Sequence, residues 1–114
     1  ERGRVQGERL LEDTAARGHP EALKYVTLAC KRRGDYTSAL PLWERAWRDR
    51  GCLFSALELV KYLEHKAKDY PAALSLVGEM ELLIDGKSLP GRDLVKRRLR
   101  LEAKIARSAI GGGS

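Results

Sequence analysis

The most reactive pair of neighbours in this chain is Glu64 and His65, at the end of "KYLEH" (61–65). A carboxylate beside an imidazole has the chemistry of an acid–base pair. Adjacent residues on a helix do not face each other, however, so these two cannot form a catalytic dyad unaided. Metal ligation asks for ligands on one face. His19, His65, Cys30 and Cys52 include no pair spaced i,i+3 or i,i+4 and no CxxC. There is no nucleophile elbow. There is no phosphate loop either, since the glycine run "GGGS" at 111–114 is followed by no helix. The sequence therefore predicts no catalytic residue, no metal and no cofactor, and a chain that is not an enzyme.

Cations are the other chemical resource. The formal net charge is +6 over 114 residues. Such a surface favours acidic partners: nucleic acid, an acidic protein or peptide, or an anionic membrane surface. In the last stretch, Lys96, Arg97, Arg100, Lys104 and Arg107 fall within one third of a helical circumference. Leu94, Val95, Leu99, Leu101, Ile105 and Ala106 take a broad arc elsewhere. This predicts an amphipathic helix whose outer side is a line of cations, able to meet phosphates electrostatically but without stacking aromatics among them. Two cysteines are too few for a disulfide scaffold, so free thiols in a reducing cytoplasm are expected. No stretch is long and apolar enough to span a membrane. The start "ERGRVQGERL" has no signal region and no initiator Met, which reads as a piece of a larger protein.

The elements that must position these groups are helical. Alternating β-branched runs are missing, and Ala, Leu, Glu, Lys and Arg dominate. Six helices are predicted, over 5–17, 21–33, 36–49, 54–67, 71–84 and 92–108. "RGHP" (17–20), Gly34 and Gly51 punctuate them, and "IDGKSLPG" (84–91) is the clearest loop. Pro71 suits a first turn, whereas Pro41 predicts a kink. Residues 1–19 read as an N-terminal half-repeat, 88–110 as a capping helix, and 111–114 as a flexible tail or linker. Trp43 and Trp47, four apart, share one helical face and are expected in the core.

The chain repeats itself. "GDYTSAL" (34–40) returns as "KDYPAAL" (68–74). Residues 20–50 laid over 54–84 give eight identities: Ala22/Ala56, Leu23/Leu57, Val26/Val60, Asp35/Asp69, Tyr36/Tyr70, Ala39/Ala73, Leu40/Leu74 and Leu42/Leu76. A 34-residue helix–turn–helix period resembles the tetratricopeptide repeat family, with repeats at 20–53 and 54–87. Lys68 stands where the family has a turn glycine, Met80 where it has a small residue, and Gly51 where it has proline. The fold expected is all-α, a tetratricopeptide-like solenoid of stacked antiparallel hairpins. Each pair has an apolar face it cannot bury alone.

The resemblance also implies a groove lined by the first helix of each pair. By family position its residues are Glu21, Lys24, Leu28, Lys31 and Arg32, then Ser55, Glu58, Tyr62, His65 and Lys66. Lys24, Lys31, Arg32 and Lys66 would make the groove basic, with Tyr62 in it. The asparagine-based carboxylate clamp of the family is ruled out, because the chain has no asparagine. Glu64 takes the place of Cys30, a position that packs inward. A carboxylate there needs a cationic partner, which predicts an internal ion pair.

A narrower resemblance lies in "ALPLWERAW" and "ALELVKYLEHKAKDYPAAL". Leu42-Trp43-Glu44, Lys61-Tyr62-Leu63-Glu64-His65 and Lys68-Asp69-Tyr70 resemble the helical C-terminal region of a bacterial exonuclease family with a ribonuclease H-like catalytic domain. That implies a catalytic domain outside this chain. The expected function is a non-catalytic interaction module within such a protein. The alternative is an accessory domain that holds nucleic acid through the basic last helix.

Overall fold

The structure, a computed structural model, describes residues 20–112. Five helices account for most of that span: α1 (Pro20–Arg32), α2 (Tyr36–Arg50), α3 (Leu53–His65), α4 (Tyr70–Glu81) and α5 (Leu89–Gly112). No strand occurs among the described residues, so the fold is all-α. The helix expected over 5–17 lies outside the described residues. The chain divides into two units, residues 1–56 and 57–114.

In the first unit α1 packs against α2. The turn between them is set by Gly34, at φ 73°, and Asp35. Asp35 is the N-cap of α2, its carboxylate accepting the Ser38 amide at 3.1 Å. That bond and the nearby Arg33 hold the Asp35 carboxyl below its ordinary pKa. The helix runs through Pro41 without interruption. It ends at Gly51, whose left-handed backbone (φ 64°) turns its N–H onto the Ala46 and Trp47 carbonyls. Both tryptophans are buried, as expected of a shared inward face. The Tyr36 and Trp43 ring centroids lie 6.5 Å apart.

The second unit writes the same turn with different letters. Asp69 caps α4 by accepting the Ala72 amide at 3.2 Å. Pro71 sits in the first turn, where its missing N–H costs nothing. Lys68, the residue before the cap, adopts φ 53°, the conformation that Gly34 supplies in the first unit. The two Asp-Tyr words thus share one backbone device, with φ/ψ of −89°/74° at Asp35 and −94°/78° at Asp69. The tyrosine rings differ in their neighbours. Tyr36 meets Trp43, whereas Tyr70 lies beneath the Lys104 ammonium, 5.3 Å from its ring centroid. Trp43 has Val77 as its counterpart 34 residues on, so no second aromatic is present to meet Tyr70.

Helix α5 packs on α4. It starts at Leu89, inside the stretch expected to be a loop, and runs to Gly112, two residues into the expected tail. Ser88 caps it, with its hydroxyl accepting from the Gly91 amide at 3.1 Å. The approach is so close that a Cβ at Gly91 would run into the Asp85 carbonyl oxygen. Leu94 and Leu101 are its buried contacts, 3% and 0% exposed. Leu99 and Ala106, expected in the apolar arc, are exposed. Arg98 joins the two helices by reaching Glu81 at 3.0 Å and 3.3 Å, and it also pairs with Glu102 along α5.

Candidate functional site

The densest polar constellation of the second unit is centred on Glu64. Apolar neighbours along α3, among them Leu59 and Val60, are buried, and the inward face they define carries Glu64 one turn further on. Its side chain has no exposure at all. A lone carboxylate in that position would be costly. Three cations from α5 offset the cost. Arg97 Nη1 donates to Oε1 at 3.0 Å. Arg100 donates twice, Nε to Oε2 and Nη2 to Oε1, both at 2.8 Å. Lys104 Nζ donates to Oε2 at 2.8 Å. The two-pronged Arg100 contact is the geometry for which guanidinium and carboxylate are matched.

The electrostatic consequence is direct. Arg100 is the largest cause that holds the Glu64 carboxyl low, ahead of Lys104, and together they outweigh desolvation to bring its pKa to about 2. Reciprocally, Glu64 raises the Arg100 pKa. Glu64 is therefore ionised at any physiological pH. The internal ion pair expected at this position is present, and it has three cationic partners rather than one.

Sequence spacing puts residues 97, 100 and 104 on the outer side of the last helix. They border its buried row instead. At roughly 100° per residue, Arg97 and Leu101 lie only about 40° apart on α5. The Arg97 and Lys104 side chains are accordingly just 20% and 24% exposed, while Arg100 keeps 46%. Lys96 and Arg107 are exposed. The contact of Tyr70 with Lys104 is not among the sequence expectations. Nothing local signals it, because the ring meets a cation 34 residues away.

The expected groove residues are distributed over the two units. In the first, Lys24 and Arg32 are exposed, and Leu28 and Lys31 are half-buried. Lys24 Nζ lies 5.3 Å from the Phe54 ring centroid, a cation–π contact. In the second, Tyr62 is half-buried, and His65 and Lys66 are exposed. His65 Nε2 sits 3.7 Å from Glu64 Oε1 at the edge of the cation cluster. Ser55 and Glu58, also expected to face a groove, are buried at 0% and 6% exposure. Ser55 donates to Cys52 Sγ, and Glu58 accepts from Lys61.

Among the described residues no group of His, Cys, Asp and Glu could hold a metal ion. Neither Cys30 nor Cys52 forms a disulfide among the described residues. No described helix is long and apolar enough to cross a membrane.

Fold and site together define an all-helical protein with a carboxylate-centred cation cluster. No protein-family model matches the chain, and no solved structure does. The chain is similar to the uncharacterized protein YprB of Bacillus subtilis (strain 168), with 31% identity over 99 residues that cover 84% of this chain. It spans 23% of that relative's length.

Proposed function

We propose that this chain is a non-catalytic helical-repeat interaction module. In this reading the two capped helix pairs stack as a tetratricopeptide-like solenoid, and α5 closes the far end. The module is an accessory part of a larger bacterial nuclease-like protein and binds an acidic protein partner or a neighbouring domain. The supporting observation is the repeated cap, a left-handed residue followed by Asp-Tyr at 34–36 and again at 68–70. A likeness to under a quarter of a longer protein is what a module within a larger chain predicts. Each unit would contribute its own binding residues, Lys24, Leu28, Lys31 and Arg32 in the first and Tyr62, His65 and Lys66 in the second. A preformed helical surface binds with little ordering cost.

Fluorescence polarisation with a panel of acidic peptides and their Gln-substituted twins tests this reading. The acidic members should bind, the twins should not, and K24E/K31E/K66E should weaken binding at least tenfold. An absence of binding to every acidic peptide at low salt would contradict it.

A second reading is a domain that holds nucleic acid through Lys96, Arg97, Arg100, Lys104 and Arg107. It is favoured by the concentration of three of these cations in one cluster. Its affinity would be independent of sequence and would fall steeply with salt. Titration with single- and double-stranded DNA and RNA at two salt concentrations checks it, with K96E/R107E expected to weaken binding.

A further inference from the structure

The Glu64 cluster is unbalanced in charge. Arg97, Arg100 and Lys104 contribute three positive charges and Glu64 one negative. Arg100 Nε and Lys104 Nζ each lie 2.8 Å from the same oxygen, Oε2, so they are no further apart than twice that distance. By Coulomb's law each attraction to Glu64 is then at most about twice the repulsion between these two cations, so the shared carboxylate offsets their repulsion without removing the excess charge. Two positive charges remain in excess. Nothing acidic among the described residues is seen to answer them, and Glu81 and Glu102 are engaged by Arg98.

The donors are in excess as well. An arginine offers five N–H groups and a lysine three. Glu64 accepts two from Arg100 and one each from Arg97 and Lys104. Arg100 is the most exposed of the three, at 46%, so the cluster is open to solvent at Arg100. Glu64 has no exposure, so an incoming ligand meets cations and not the carboxylate.

From this arrangement we propose that the solvent side of the Arg97–Arg100–Lys104 cluster is an oxyanion site that takes a dianionic phosphate group, with Glu64 beneath it fixing the three cations in place. A tetrahedral dianion matches both the excess charge and the fork geometry of the guanidinium. Glu64 is a positioning residue here, since it holds the cations without touching the ligand. The proposal is independent of the interaction-module reading, because the cluster lies within one unit; it shares its three cations with the nucleic-acid reading and names a ligand for them. Two sources share this chemistry, inorganic phosphate and the 5′-phosphate at the end of a nucleic-acid strand.

The test uses the whole chain. Sodium phosphate is titrated at constant ionic strength against a chloride control, while the side-chain Nε–Hε NMR signals of Arg97 and Arg100 are followed. Both should shift saturably in phosphate and stay still in chloride. The melting temperature should rise with phosphate, because a ligand of the native state stabilises it by mass action. R100K should keep part of the rise and R100M should lose it. A 5′-phosphorylated oligonucleotide should bind at least tenfold tighter than its 5′-hydroxyl twin if a strand end is the source, and equally well if free phosphate is. Unmoved arginine signals in wild-type protein overturn the proposal, whatever the variants do. An undiminished rise in R100M overturns it too. Failure of oligonucleotide binding with phosphate binding intact removes the nucleic-acid reading and leaves the site standing.

Discussion

Glu64 on α3 and Arg100 on α5 are joined by two hydrogen bonds of 2.8 Å across 36 residues of sequence. The contact replaces apolar packing at a position where the preceding repeat has Cys30, itself 1% exposed. It makes the docking of the last helix depend on charge.

Loss of that charge should be expensive. Glu64→Gln keeps the volume but leaves three cations facing a neutral amide. Breaking a buried ion pair by removing one partner costs about 3–5 kcal/mol, which urea unfolding at neutral pH would register. Replacing the cluster together, E64L with R97L, R100M and K104M, should recover much of that loss, because no charge is then left unpaired.

Acid should act through the same residue. The folded-state pKa of Glu64 is about 2 against an ordinary 4.5, a lowered value. Its contribution is therefore present above pH 4.5 and is lost as pH falls from there towards 2. The shift corresponds to about 3 kcal/mol. Stability measured at pH 6, 4 and 2.5 should fall by most of this amount in wild type, and E64Q should lack that component.

The two left-handed turn residues give a paired prediction. Lys68 holds φ 53° with a side chain, whereas Gly34 holds φ 73° without one. Relieving the strain with Lys68→Gly should stabilise by roughly 0.5 kcal/mol, the steric gain being partly offset by backbone entropy. Gly34→Ala should destabilise by about 1 kcal/mol. Urea unfolding of the two variants beside wild type checks both signs.

Glycines at 78 and 91 should respond in opposite directions. Gly78 lies within α4, and a methyl added there would meet no other atom within 4 Å, so Gly78→Ala should relieve the helix of its most flexible residue. The expected gain is up to about 1 kcal/mol. Gly91→Ala would drive a methyl into the Asp85 backbone and should cost more than about 2 kcal/mol. Thermal melts of the two variants side by side decide this.

What was legible in the sequence was local. The repeated Asp-Tyr words mark where α2 and α4 begin, and Asp35 and Asp69 cap those helices through bonds to amides three residues ahead. The inward character of Glu64 was also readable, since position 30 is its equivalent. Its partners were not. Arg97, Arg100 and Lys104 read as an outer row because their spacing fixes only their mutual angle on α5. Which side of that helix faces Glu64 is decided by packing through Leu94 and Leu101. Sequence reasoning starts α5 three residues late, at 92 rather than 89, because Pro90 and Gly91 read as loop. Proline is at home in a first helical turn, and this glycine is there for the Asp85 carbonyl.

The proposed function rests on a tetratricopeptide-like solenoid, in which the two capped pairs would unfold together. Differential scanning calorimetry tests it most directly. Stacking predicts a single transition whose calorimetric enthalpy equals its van't Hoff enthalpy. Two separable transitions, with α1 and α2 melting independently of α4 and α5, would contradict it.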